Sequence, residues 1–436
     1  MERKYTETTA ALLSFIEESP TAFHAVASIA GQLEKKGFTS LRESDCWKPE
    51  AGKGYYVTRN QSSVIAFRMP AREPKGFLIA ASHTDSPMFK LKNDYIASAF
   101  GEYLRLNTEI YGGTILSSWM DRPLSLAGRV IVKSDDAFEA KCVNIDRDLI
   151  LIPNVAIHCN RNVNAGYTFN PAVDMLPLFA QGDGKQDTLK ELLAKELQCD
   201  PAQICGMDLY VYCRTPGSVW GADGEFFSAP RIDNLMCAYG TLQGFLDAVN
   251  EDYVTVYYSA DNEETGSATK QGAGSVFLSD VIDRICETVG ADRRRLLASS
   301  MMVSADNGHA KHPNHPELSD AKNAPKLNGG VVIKSNAAQK YATDGISAAL
   351  FAEICRRAQV PVQHFANRSD MPGGSTLGSI SNTRVPLITV DIGMAQLAMH
   401  SAYETAGSAD CLYLNQAMKA FYQCRLHTDG DGSYRL

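Results

Sequence analysis

Four apolar stretches of this chain each run into a cluster of ionisable residues, and no other feature narrows the fold so sharply. Residues 77–81 lead to Ser82-His83-Thr84-Asp85, and residues 254–260 lead to Asp261-Asn262-Glu263-Glu264. Residues 301–305 lead to Asp306, and residues 387–390 are followed a little later by Met399-His400-Ser401. Short continuous apolar runs read as strands buried on both faces. Helical spacing lies between them: Leu235, Ala238, Leu242, Phe245 and Leu246 line one face. Strands alternating with helices predict an α/β fold with a mainly parallel sheet flanked by helices. Open sheets of this kind bind ligands beyond the carboxyl ends of their strands, and all four clusters fall there.

The texture changes between about Met88 and Gly224. Ile150-Leu151-Ile152 and residues 209–212 read as short strands among Asn, Gly and Pro clusters, which predicts a β-rich insertion. A chain of 436 residues exceeds a typical single core. The expected division is residues 1–88 and 228–436 as one α/β domain, interrupted by residues 89–227. Within the insertion, residues 181–187 read as a loop and 189–197 as a helix. Ser19-Pro20 reads as the start of a helix ending at Gly37, and residues 64–67 read as a further strand. The triple arginine at 293–295 reads as a solvated helix face.

A net charge of −8 argues against a nucleic-acid partner. The opening Met1-Glu2-Arg3-Lys4-Tyr5 has no apolar core behind it, so no signal peptide is expected, and no run of about 18 apolar residues predicts a membrane span. The eleven cysteines include no C-x-x-C pair. Most sit in apolar stretches, as Cys213, Cys237 and Cys355 do, and read as buried free thiols in a reducing, cytoplasmic compartment.

Taken singly, each polar cluster has a plain structural reading. His83 fits a hydrogen-bonded core histidine, Glu263-Glu264 a helix N-terminus, Asp306 a turn and His400 a helix cap. Together they fit a metal site better, because adjacent carboxylates at the mouth of a sheet repel unless a cation neutralises them. Imidazoles with carboxylates and no thiolate suit zinc, with cobalt or manganese as alternatives. Asp85 can accept the second ring N–H of His83. Of Glu263 and Glu264, one can hold metal while the other takes a proton from water. Asp233, at the start of a helical pattern, is the natural carboxylate to bridge two ions.

These segments, with Arg231-Ile232-Asp233-Asn234 and Gly373-Gly374-Ser375-Thr376, resemble the aspartyl aminopeptidase family of dinuclear zinc exopeptidases over nearly the whole chain. The resemblance implies removal of N-terminal residues, acidic ones above all, from peptides. It implies one zinc on His83 and Asp306, a second on Glu264 and His400, Asp233 bridging, and Glu263 as general base. It marks the Asp233–Asn234 peptide as the one to inspect for cis geometry. It also implies a β-rich dimerisation domain and a closed tetrahedral dodecamer.

Three more residues carry alternative readings. His309 is a substrate contact by resemblance, or, with His312, an extra metal ligand or a loop residue. Lys334 belongs to the specificity pocket by resemblance, or is a solvated strand end. His158 reaches a neighbouring subunit's site, or packs within its own sheet as part of an apolar strand. Two departures from the family pattern, Ala338-Gln339-Lys340-Tyr341 and Asn307, are expected to flank the substrate pocket. The rival functions are a dinuclear-metal deacylase of N-acyl amino acids and a non-catalytic assembly protein of the same fold.

Overall fold

A computed structural model of the chain describes residues 3–183 and 187–436. A nine-stranded sheet forms its centre, in the order Thr39–Leu41, Gly54–Arg59, Ser63–Arg68, Val254–Ala260, Phe77–His83, Met301–Ala305, Ile388–Gly393, Val331–Lys334, Val362–Phe365. The four strands that carry the polar clusters occupy consecutive central positions and pair parallel to one another. The expected α/β fold is therefore present. Antiparallel pairings enter on either side, at Ser63–Arg68 and Val331–Lys334.

The strand period of two divides the core. Leu78 and Ala80 face one layer, with the helices Arg3–Glu17, Ala22–Lys35, Ile232–Asp247, Gly345–Arg357 and Ser408–Gln423. Phe77, Ile79 and Ala81 face the other, with Phe277–Val289, Arg293–Leu297 and Leu377–Asn382. With both faces covered, the central strands are buried throughout, which explains why they read as continuous apolar runs.

The segment after His83 builds a separate six-stranded antiparallel sheet, ordered Ala137–Asn144, Leu124–Ser134, Ile204–Cys213, Met88–Ala99, Tyr103–Tyr111, Leu178–Gln181. It has its own core, to which the helix Thr188–Leu197 adds Leu189 and Leu193. A third, five-stranded sheet joins Ser218–Trp220, Phe226–Ala229, Glu404–Gly407, Ala395–Leu397 and Gly308–His309. Among the described residues no helix is long and apolar enough to cross a membrane.

Several local expectations need correction. The second helix starts after Thr21, not at Ser19, and both Ser19 and Pro20 are buried ahead of it. Residues 150–152 make only isolated bridges at Ile150 and Leu151, because their partners are single residues at Leu124 and Leu178. All eleven cysteines are free, yet Cys46, Cys142, Cys159 and Cys205 are exposed rather than buried. The expected loop at 181–187 falls partly on residues 184–186, which lie outside the described residues. The arginine run is solvated only in part: Arg294 and Arg295 are exposed, the latter paired with Glu73, whereas Arg293 is half-buried against Asp283 and Ser279.

Candidate active site

Parallel neighbours in register end at the same level, and that brings the clusters together. His83 closes its strand opposite Ala260, the residue before Asp261. Asn262, at φ +60°, then folds the chain into the tight turn Glu263–Thr265, which carries both glutamates over the strand ends. Asp306 follows the next strand directly. Asp233 lies in the first turn of Ile232–Asp247, where the backbone leaves helical dihedrals and the Asp233–Asn234 peptide is cis. His400 sits in a loop at φ +67°.

The imidazole of His83 places Nε2 3.5 Å from Asp306 Oδ1 and 3.6 Å from Asp233 Oδ1. That of His400 places Nε2 3.4 Å from Asp233 Oδ2 and 3.4 Å from Glu264 Oε1. Asp233 thus turns one oxygen to each histidine. Glu263 is set apart, its Oε2 4.0 Å from His83 Nε2.

Such a site demands cations. Burial alone would lower the pKa of His83, but hydrogen bonds to Asp306 and Asp85 and the charge of Glu263 raise it well above its ordinary value. His400 is likewise pushed up to about 10, chiefly by Asp233 and Glu264 acting against burial. The residues fit zinc on three counts. Asp233 Oδ1 is buried without a hydrogen-bond partner, a costly state for a carboxylate oxygen that a cation relieves. Ligand atoms of His83, Asp233 and Glu264 lie within 4.8 Å of one another. Two donors on one tetrahedral zinc stand roughly 3.4 Å apart, close to the histidine–carboxylate separations above.

The surrounding polar atoms fix these side chains. His83 Nδ1 lies 3.1 Å from the main-chain oxygen of Asp85 and 3.3 Å from its Oδ1, so backbone and side chain share the role expected of the carboxylate alone. Asp85 also accepts the amides of Glu263 and Glu264 and the hydroxyl of Tyr111 at 2.7 Å. His400 Nδ1 lies 2.9 Å from the carbonyl oxygen of Gly113, and Ile115 N donates back to His400 O. Buried Glu404 accepts the amides of Asp233 and His400. Sequence reasoning missed Tyr111, Gly113 and Glu404. The only visible signal was an ionisable residue four positions after His400 in an otherwise uncharged stretch.

The remaining expected residues divide. Lys334 is buried rather than solvated; its ammonium donates to Asp306 O at 2.7 Å, and Asp306 Oδ2 stands 3.4 Å away. Asp306 keeps it charged against burial, at about 12. His309 is exposed beside Phe365 and lines a cavity of about 290 Å³ with Arg368, Gly373, Gln396 and Met399, adjacent to His400. His312 lines the same cavity. His158 belongs neither to the cluster nor to a strand: it lies in an exposed turn, between Val155 at 53% and Ile157 at 49% exposure. Asn307 does not wall the pocket. It is buried, donating to Ile232 O and Gln396 Oε1. Tyr341 lies under the Lys334 ammonium, and Lys340 donates to Gly373 O. A larger depression of about 600 Å³ around Arg72 and Asp252 holds none of these residues and lies at the opposite ends of the strands.

A histidine–carboxylate cluster at the mouth of a covered parallel sheet defines a metal-dependent enzyme site. The family model "Aminopeptidase I zinc metalloprotease (M18)" matches residues 15–422, and the chain belongs to that family, as a zinc aminopeptidase. A "Probable M18 family aminopeptidase 2" of Clostridium novyi (strain NT) is 44% identical over 421 residues, 94% of this chain and 97% of the relative. The solved "Cryo-EM structure of the Ape4 and Nbr1 complex" superposes with a TM-score of 0.93 at 37% identity, covering 96% of this chain and 86% of that one. The "Structure of S. cerevesiae mApe1 dodecamer" does so with a TM-score of 0.85 at 25% identity, covering 97% of each.

Proposed function

We propose that this aminopeptidase holds two zinc ions per chain and removes acidic N-terminal residues from peptides. The observation that carries the reading is the division of Asp233 between two histidines, each with a carboxylate of its own. Under it, His83 and Asp306 would hold one ion and Glu264 and His400 the other, with Asp233 contributing to both. Bound zinc supplies Lewis acidity for the scissile carbonyl and lowers the pKa of water.

The chain supplies the rest. Glu263, its Oε2 4.0 Å from His83 Nε2, would take the proton of the attacking water and hand it to the leaving amine. Without zinc, burial, then Asp306, Asp85 and Asp233, raise its carboxyl to about 8; cations on the neighbouring carboxylates would lower it toward the range of a base. Asp85 orients His83 and steadies the glutamate turn. The cavity beside Met399 is the natural seat for the first side chain, with His309 at its edge. Lys334 does not line that cavity; its buried charge beside Asp306 would favour an acidic side chain only through the field it adds to the site. His158, in an exposed apolar turn, suits a surface completed by a second copy. On that reading residues 89–227 form a dimerisation domain, subunits assemble as in the dodecameric relative, and His158 reaches the neighbouring site. Eleven free thiols support a reducing, cytoplasmic setting.

A panel of aspartyl, glutamyl and leucyl nitroanilides set against N-acetyl amino acids tests the substrate class. Acidic free-amine substrates should be fastest, and Lys334→Ala should depress them more than the leucyl one. Preferential cleavage of N-acyl substrates would overturn the aminopeptidase assignment. Equal losses on all nitroanilides would reduce Lys334 to a support for Asp306.

A further inference from the structure

Glu404 is buried at 1% exposure, four residues beyond His400, and lines a small cavity with Ser86, Asp233 and Ser401 rather than the cavity beside Met399. Its two oxygens are spent on two backbones. Oε2 accepts the amide of Asp233 at 2.9 Å, across 171 residues of sequence, and Oε1 accepts the amide of His400 at 2.6 Å. Buried Gln396 donates from Nε2 to Glu404 Oε1 at 3.4 Å, and its own Oε1 accepts Asn307 Nδ2 at 2.7 Å. The strand Glu404–Gly407 is anchored in turn against Phe226–Ala229.

Both captured amides belong to backbone that helix or sheet would not hold unaided. Asp233 and Asn234 depart from helical dihedrals inside the first turn of their helix. His400 adopts a left-handed φ of +67°, a strained conformation for a residue with a β-carbon that persists only where its surroundings over-determine it. The carboxylate offers a separate oxygen to each amide, so one side chain holds both backbones at once. Burying that carboxylate is expensive, and nearby cations would offset the cost.

We infer that Glu404 is a positioning residue for the zinc site shared by Asp233, Glu264 and His400, fixing the two backbones from which two of its three ligands project. The inference rests on the two-ion reading above. The site of His83 and Asp306 takes nothing from Glu404 except through Asp233, so the two positions should respond unequally to its loss.

The test is titration of zinc-free wild type and Glu404→Gln with zinc against a chromophoric chelator, alongside kcat, KM and the Tm of both zinc-free proteins. The carboxamide presents one oxygen and one NH2, so one captured amide meets a donor instead of an acceptor. Expected is an unaltered first equivalent, a second bound about 10–100-fold more weakly, and a kcat that recovers in excess zinc with little change in KM. Two equivalents at wild-type affinity in the variant overturn the proposal. So does equal weakening of both with a lowered zinc-free Tm, which would make Glu404 a residue of the fold alone. If Glu404→Gln does not fold, Glu404→Asp is read in the same way: a weakened second equivalent supports the proposal and an unchanged one overturns it. A wild type that binds a single zinc removes the two-ion reading itself, a result distinct from the others.

Discussion

Glu263 and Glu264 are neighbours in sequence and chemically identical, yet their surroundings assign them different work. Glu264 sits 3.4 Å from His400, and burial with Asp233 beside it drives its carboxyl well above the ordinary range unless a cation intervenes. Glu263 stands off from both histidines and is the less buried of the two side chains. Glu263→Gln should therefore keep its zinc and lose roughly 10²–10⁴-fold in kcat, whereas Glu264→Gln should lose zinc. His158→Ala should retain zinc and Tm while losing kcat. Zinc content and kcat measured together on the three variants check this, and the reverse pattern for the two glutamates would exchange their roles. At this scale the ionisable residues at the strand ends were legible because each followed an apolar run. Tyr111, Gly113 and Glu404 were not, since each meets the site only through tertiary contact.

Elements were legible where burial on both faces left a continuous apolar run, as in the four central strands. The five-stranded sheet was illegible: its pieces are two to four residues long and come from Gly308–His309 as well as from strands near 220 and 400. So were the antiparallel pairings, which depend on partners remote in sequence. Helix packing shows a subtler constraint. Gly244, in Ile232–Asp247, faces the helix Ser408–Gln423, and a β-carbon there would stand 2.8 Å from Lys419 N and 2.5 Å from Met418 Cβ. Gly31, inside Ala22–Lys35, would meet nothing within 4 Å. Gly244→Ala should destabilise the protein by roughly 1–3 kcal/mol, and Gly31→Ala should stabilise it by roughly 0.5–1 kcal/mol through helix propensity. Denaturant unfolding of the two variants checks the pair; equal effects would mean the helices do not approach as described.

For the whole molecule, two sheets with separate cores meet at the site. The nine-stranded sheet supplies His83, Asp306 and the glutamate turn, while Tyr111, at the end of a strand of the six-stranded sheet, braces Asp85, and Gly113, in the loop after it, braces His400. The six-stranded portion also exposes Phe138 at 64% and Val173 at 64%. The change of texture near Met88 announced this second sheet, but the turn holding His158 looked like a strand because apolar residues flank it. Everything proposed for the site returns to its capacity for two ions. The most direct measurement is hydrolysis of aspartyl nitroanilide by chelator-stripped protein as zinc is restored in known equivalents per chain. Activity should be absent at the start and rise to its plateau at two equivalents. Full activity in the stripped protein, or a plateau at one equivalent, would contradict the shared Asp233 site.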